Sequence, residues 1–309
     1  MNVRVDQPIE NASWYEASAR QRIHGLVDAG SFVEFVSPSE REWSPHLPLF
    51  DLPRQFDDGM IVGRASLDGR PVFVAAQEGR FMGGAVGEVH GAKLTGLLRA
   101  ARDARTVPVL ILFDTGGVRL QEANAGEVAI AEIMRAVVDA RFAGVPVLGL
   151  IGGRAGCYGG GGLLAACCSA LAVSEQGRIS VSGPEVIETN RGADEFDSKD
   201  RALVWRTMGG KHRRLIGAVE RFVDDTVTAF RDAALALLAE HAPFELAALE
   251  AEQRRLDERV ATFGDCKDAR DVWRALGATG SEVQDIPAMP CDTFSTLAER
   301  LQETRHDAR

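Results

Sequence analysis

Cysteine is scarce and unevenly placed: none precedes Cys157, and the five present (Cys157, Cys167, Cys168, Cys266 and Cys291) include no Cys-x-x-Cys pair. An odd set so spaced spells neither a disulfide framework nor a zinc knuckle. Positive charge is also short, with 35 Lys and Arg against 45 Asp and Glu, a net of −10. Nucleic acid is therefore excluded as a main partner, because neutralising phosphates needs a basic surface. No apolar run approaches the roughly 18 residues of a membrane span, and the start Met1-Asn-Val-Arg-Val-Asp6 has no apolar signal region. The expectation is a cytoplasmic protein with no membrane partner. Catalytic signatures are missing too: no Gly-Lys-Ser/Thr ending a phosphate loop, no His-Glu-x-x-His and no Gly-x-Ser-x-Gly. None of the six histidines is spaced for a triad or a metal site.

Glycine is what the chain has instead. Residues 152 to 162, Gly-Gly-Arg-Ala-Gly-Cys-Tyr-Gly-Gly-Gly-Gly, hold seven glycines directly after the apolar run Val147-Leu-Gly-Leu-Ile151. Such a cluster is tolerated where tight turns or close approach to a ligand require bare backbone. Thr106 to Gly117 and Ala143 to Arg154 share one design, a proline-started apolar strand (Pro108, Pro146) that runs into glycines and then a helix. Two such units imply parallel strands with helical crossovers. The glycines then fall where strands end and helices begin, so that free N–H groups and the positive helix end can face an oxyanion. Gly160-Gly-Gly-Leu-Leu-Ala165 formally fits a dinucleotide fingerprint, but eight residues separate it from the preceding strand, too far for that motif.

Along the chain, a short helix is expected from Trp14 to Asp28, then a proline-punctuated connection from Ser37 to Pro53. Two strands from Met60 and Pro71 are joined by Asp68-Gly69, a hairpin signal. Helices follow from Glu88 to about Ala104 and from Glu122 to Arg141, the latter with Val128, Ile130, Ile133, Met134, Val137 and Val138 as one apolar stripe. Cys167 and Cys168 read as part of a buried apolar helix. Short strands at Ala170–Val173 and Arg178–Val181 flank Gln176-Gly177, and Pro184 starts a helix. From Ser198 only helices are expected: Lys199 to Met208, Arg213 to about His241, and Glu245 to Val260, with a loosely held polar tail. Lys211-His212-Arg213-Arg214 is read as capping or flanking a helix, with an anionic cofactor tail or an acidic carrier protein as its alternative use, and Asp114, Arg119, Gln121 and Glu122 crowd the Gly116-Gly117 turn either as substrate contacts or as a buried ion pair. The division is 1–57 as an N-terminal helix and connection, 58–240 as the main domain, and 241–309 as C-terminal helices and tail.

Four segments in fixed order carry a resemblance. Phe81-Met-Gly-Gly-Ala-Val-Gly87, Gly116-Gly-Val-Arg-Leu-Gln-Glu122, the glycine cluster and Ser182-Gly-Pro-Glu-Val-Ile-Glu188 together resemble the acyl-CoA carboxyltransferase family over about residues 55 to 190. The resemblance implies an α/β, crotonase-like superhelix of strand-strand-helix units with a C-terminal helical layer. The acetyl-CoA carboxylase beta-type members carry a four-cysteine zinc ribbon that is missing here, so the chain is most similar to the biotin-independent malonate decarboxylase beta-type branch. A biotin-dependent carboxyltransferase subunit is the alternative, and a non-catalytic subunit that only docks a carrier protein is a third reading.

The chemistry implied is loss of carbon dioxide from a malonyl thioester through an oxyanion-stabilised enolate. Its carrier would be a coenzyme A-derived group on an acyl carrier protein, with no biotin, no metal and no covalent cofactor. By motif position the resemblance implies catalytic roles for Gly117 and Val118, as one oxyanion pocket, and for Gly156, Cys157 and Tyr158 at the other turn. It implies substrate binding by Phe81, Met82, Gly83, Gly84, Gly116, Arg119, Gly159 and Gly160. The implied partners are a homologous gamma subunit, the acyl carrier protein and its transferase subunit.

Overall fold

Two five-residue strands, β4 (Val109–Phe113) and β5 (Val147–Ile151), are buried along their whole length and lie side by side in parallel. Their alternate residues feed two different cores: Val109, Ile111 and Phe113 face one side, Leu110 and Leu112 the other. A sheet covered on both faces reads in sequence as an unbroken apolar run, which is why these strands are legible. The computed structural model describes residues 12–307, with side chains to 302. The start on which the absence of a signal region was argued lies outside the described residues.

Around that pair the sheet has seven strands in the order β1-β2-β3-β4-β5-β7-β9. Here β1 is Val33–Phe35, β2 Met60–Leu67, β3 Arg70–Gln77, β7 Ala170–Ser174 and β9 Arg221–Val223. The β2–β3 hairpin turns at Asp68-Gly69 as expected, both residues at positive φ, and from β3 onward every neighbour is parallel. A second sheet pairs β6 (Cys157–Tyr158) with β8 (Ile179–Ser180). Thus the two short strands expected around Gln176-Gly177 both exist but belong to different sheets.

Helix α1 (Ala19–Leu26) starts at Ser18, whose hydroxyl accepts from Gln21 N–H in a capping box. It is shorter than the segment from Trp14 to Asp28. Trp14 itself plugs the core below, stacked on Phe230 with ring centroids 4.1 Å apart. The crossovers α2 (Glu88–Ala104) and α3 (Asn124–Phe142) cover the opposite face. In α3 the stripe is narrower than expected: Ile130, Ile133 and Val137 are buried, whereas Val128 and Val138 are exposed. Helix α4 (Gly160–Ala166) begins within the glycine cluster; Cys168 is buried just past it and Cys167 half-buried. Helix α5 (Pro184–Arg191) has Pro184 in its first turn, and α6 (Arg201–Met208) starts on the Asp200 side chain.

The single helix expected from Arg213 to His241 is instead helix, strand and helix. Helix α7 (Gly210–Leu215) stops before Gly217, which has φ +70°, then β9 joins the sheet beside β7, and Thr226 caps α8 (Val227–Ala239). Three strand residues are too few to show an alternating pattern. Lys211 and His212 are buried in α7, so this basic run is structural.

The tail is also not loose. Helices α9 (Leu246–Phe263), α10 (Ala269–Ala275), α11 (Gly280–Asp285) and α12 (Cys291–Asp307) follow. Phe263, Trp273, Ile286, Phe294 and Leu301 join the same core as β4 and β5. Among the described residues no helix is long and apolar enough to cross a membrane.

Candidate active site

The site forms where β4 and β5 end, at the carboxyl edge of the parallel strands. After β4 the chain turns through Asp114 to Val118; after β5 it turns through Gly152 to Gly160. The turns are stitched together, because Thr115 N–H donates to Gly156 O at 2.8 Å and Tyr158 N–H donates to Thr115 O at 3.0 Å. Gly117 has φ +123°, a conformation L side chains rarely adopt, and a Cβ there would meet Tyr158 O tightly at 3.3 Å with Gly159 Cα at 3.6 Å. Close approach of two backbones, with one residue in a conformation reserved for glycine, accounts for the glycines on both sides.

Which amides remain available follows from the hydrogen bonds. Gly116 N–H donates to Gly83 O (2.8 Å) and Gly117 N–H to Thr115 Oγ1 (3.1 Å). The N–H groups of Val118 and Gly160 have no acceptor among the described residues, and both residues line one cleft of about 680 Å³. Gly117 N–H is thus engaged within the turn and Val118 N–H is not, where the resemblance implied both as one oxyanion pocket. Gly160 lies on the opposite turn, as the first residue of α4.

A buried carboxylate holds the second turn in place. Asp114, 2 % exposed, accepts from Arg22 Nη1 at 2.8 Å and from Ala155 N–H at 2.7 Å. A Cβ on Gly153 would sit 2.1 Å from its carboxyl carbon, and one on Gly79 2.5 Å. Sequence reasoning placed Asp114 near the turn but missed Arg22, which reaches it from α1 across 92 positions. No local spacing signals a contact of that range.

Three arginines line the cleft, Arg154, Arg178 and Arg201, with Glu127 and Glu185 on the same wall. Arg154 pairs with Glu16, while Arg178 and Arg201 both stack on Trp205, at 4.6 and 5.1 Å from its ring centre. Tyr158 lies 7 % exposed against this wall. Burial pushes its phenol above the ordinary value, so it is protonated at neutral pH.

Some residues expected to touch substrate are elsewhere. Phe81, Met82, Gly83 and Gly84 do not line the cleft; they buttress the first turn from behind, through Gly83 O and through Gly84, where a Cβ would fall 1.8 Å from Asp114 O. Arg119 points away from the cleft, its side chain fully buried between Asp58 (3.0 Å) and Glu122 (2.7 Å). It is the ion pair, not the substrate contact. Its partner Asp58 carried no signal in sequence, lying 61 positions away. His90 is fully buried with Nε2 3.2 Å from Gln77 Nε2, and burial drives it down to about 3, so it is neutral.

Cys157 is inside the glycine turn yet wholly buried, and burial raises its thiol well above the usual range. A thiol held protonated is no nucleophile. Cys157→Ala is therefore expected to keep most of its turnover; complete loss in a folded variant, measured by steady-state assay, would contradict this.

Amides without acceptors on two turns that line one cleft, those of Val118 and Gly160, are the kind of donor that stabilises a carbonyl oxygen as it takes on charge. The carboxyl transferase domain family matches residues 16–212, and the chain belongs to it. It is 39 % identical, over 95 % of its length and 98 % of the relative's, to malonyl-S-ACP:biotin-protein carboxyltransferase of Malonomonas rubra. Among solved structures it resembles a chain of the Pseudomonas malonate decarboxylase hetero-tetramer in complex with malonate, at 41 % identity and TM-score 0.78, covering 86 % of this chain and 97 % of that one. A chain of the Pseudomonas MdcD-MdcE hetero-dimer matches at 38 % identity and TM-score 0.64, over 79 % and 96 %. The fold is the crotonase-like one, and within the family the likeness is to malonate decarboxylase subunits.

Proposed function

We propose that the chain is the beta-type subunit of a malonate decarboxylase and converts a malonyl thioester on an acyl carrier protein to the acetyl thioester. The observation that carries this is that Val118 and Gly160, on the two glycine turns that line one cleft, have N–H groups without acceptors among the described residues. In the reaction the bond between the α-carbon and the carboxylate breaks and carbon dioxide departs. The electron pair passes to the α-carbon and thioester oxygen, and a proton then restores a methyl group. Charge thus appears on an oxygen that was neutral in the substrate, and donors already aimed at it lower the barrier without reorganising. The Tyr158 hydroxyl, protonated at neutral pH and part of the cleft lining, can return the proton.

Biotin, metal and covalent cofactor are not required by this scheme; a coenzyme A-derived arm delivers the acyl group. The name of the Malonomonas rubra relative favours a second reading, in which the carboxyl group passes to a biotin protein. The same amides serve both, since each begins with the enolate. Malonyl thioester carrying label in its free carboxyl group separates them: label leaves as carbon dioxide in the first and is retained on biotin in the second.

A homologous gamma subunit completes the enzyme in this reading, with the carrier protein and its transferase as further partners. Leu120, Val128, Leu163, Val181 and Val186 form exposed apolar positions on the turns and helices around the cleft, Leu120 at 82 %. Such positions suit burial against a second subunit. Addition of the purified gamma subunit is expected to raise turnover by at least about tenfold over this chain alone, by covering the cleft and excluding water. Equal activity with and without it would contradict the shared site.

A further inference from the structure

Three arginines are almost wholly buried: Arg22, Arg119 and Arg178. Two have carboxylates in contact, Asp114 for Arg22 and Asp58 with Glu122 for Arg119. Arg178, 9 % exposed, has no ion-pair partner among the described residues, and it lines the catalytic cleft. A buried cation without a counter-ion is costly unless something supplies the charge.

Its placement is rigid. The residue precedes β8, where its carbonyl accepts Cys157 N–H at 2.8 Å, so its Cα is fixed next to the second glycine turn. One end of the guanidinium is held by Nη2, which donates to the carbonyls of Gly153 (3.4 Å) and Arg154 (2.5 Å), and the plane lies on Trp205. Its Nε–H, fully buried, has no acceptor. The group is therefore pre-oriented, and its Nη1, without a partner among the described residues and not among the fully buried atoms, leaves donor capacity in the cleft that Val118 and Gly160 also line.

We propose that Arg178 anchors the departing carboxylate of the malonyl group, a role that rests on the decarboxylase reading. Guanidinium and carboxylate pair with matched geometry, so that Arg178 holds the carboxylate while Val118 and Gly160 take the thioester oxygen. The carboxylate is charged in the ground state and loses its charge as carbon dioxide forms. The cation consequently tightens substrate binding and does not lower the barrier, since an interaction strongest in the ground state lowers KM without raising kcat.

The test uses the complex with its partner subunit and compares malonyl-S-carrier with acetyl-S-carrier, which lacks the carboxylate. Arg178→Met is expected to raise KM for the malonyl form roughly 10- to 100-fold, the value of one charge-assisted pair. Inhibition by the acetyl form should stay within about threefold, and kcat should not fall. Arg178→Gln, which keeps an amide donor for the turn carbonyls, carries the test if the Met variant fails to fold. Should malonyl and acetyl forms weaken together, Arg178 is a staple for the turn and the proposal is wrong. It is equally wrong if neither weakens, or if the wild-type complex binds both alike. A wild-type complex that prefers the malonyl form but hands its carboxyl group to biotin would correct the reaction and leave the anchor standing.

Discussion

Exchange of the Val118 amide for an ester, by incorporating the corresponding α-hydroxy acid, lowers kcat by about 100-fold or more. The expected loss is that of one oxyanion donor, about 2.7–4 kcal/mol of barrier. Val118 is the informative position because Gly117 N–H is already taken by Thr115 Oγ1 and because φ at Gly117 is +123°. Proline at 117 would therefore break the turn without testing the donor, as its ring fixes φ near −65°. Of the two bonds that hold the first turn to Val86, the one from Arg119 N–H to Val86 O is untouched by the ester, and the one from Val86 N–H keeps Gly117 O as an acceptor, weakened as an ester carbonyl. A fully active ester enzyme would remove Val118 from the mechanism.

Arg119→Met destabilises the chain by about 3–5 kcal/mol, the cost of breaking a buried ion pair by removing one partner. Two carboxylates, Asp58 and Glu122, would be left facing each other with side chains fully buried. Burial pushes Asp58 upward despite Arg119; for Glu122 burial acts the same way but is outweighed by hydrogen bonds from Ser44, Glu88 N–H and Arg119, which hold it low. These groups also fix neighbours: Asp58 accepts His90 N–H and Glu122 accepts Glu88 N–H, so the start of α2 depends on them. Denaturant unfolding reads the loss directly. An Arg119→Met protein of wild-type stability with a raised KM for substrate would return Arg119 to the substrate contacts.

How much of this was visible in the sequence depends on the range of the interactions involved. The hairpin at Asp68-Gly69, the crossovers, the two buried strands and the start at Pro184 are written in local patterns, and the structure has all of them. Strand β9 is not, because a three-residue strand made by pairing with β7 has no period of its own. The C-terminal helices looked polar and weakly patterned since each contributes only one or a few large apolar residues, such as Trp273 and Phe294, to a core built mainly elsewhere.

The site divides the same way. Both glycine turns were legible, as only close backbone approach accounts for so many missing side chains. Which amide stays available was not, because it turns on where the Thr115 hydroxyl points. Nor was Arg178, a single arginine in an unremarkable stretch whose meaning lies in the carboxylate it does not have.

Carbon dioxide release from malonyl-S-acyl carrier protein, by this chain together with its gamma subunit and with and without avidin, tests the central claim most directly. The account predicts release at the same rate in both conditions, with acetyl-S-carrier as the product. Release abolished by avidin, or carboxyl transfer only when a biotin protein is supplied, would contradict decarboxylation without biotin.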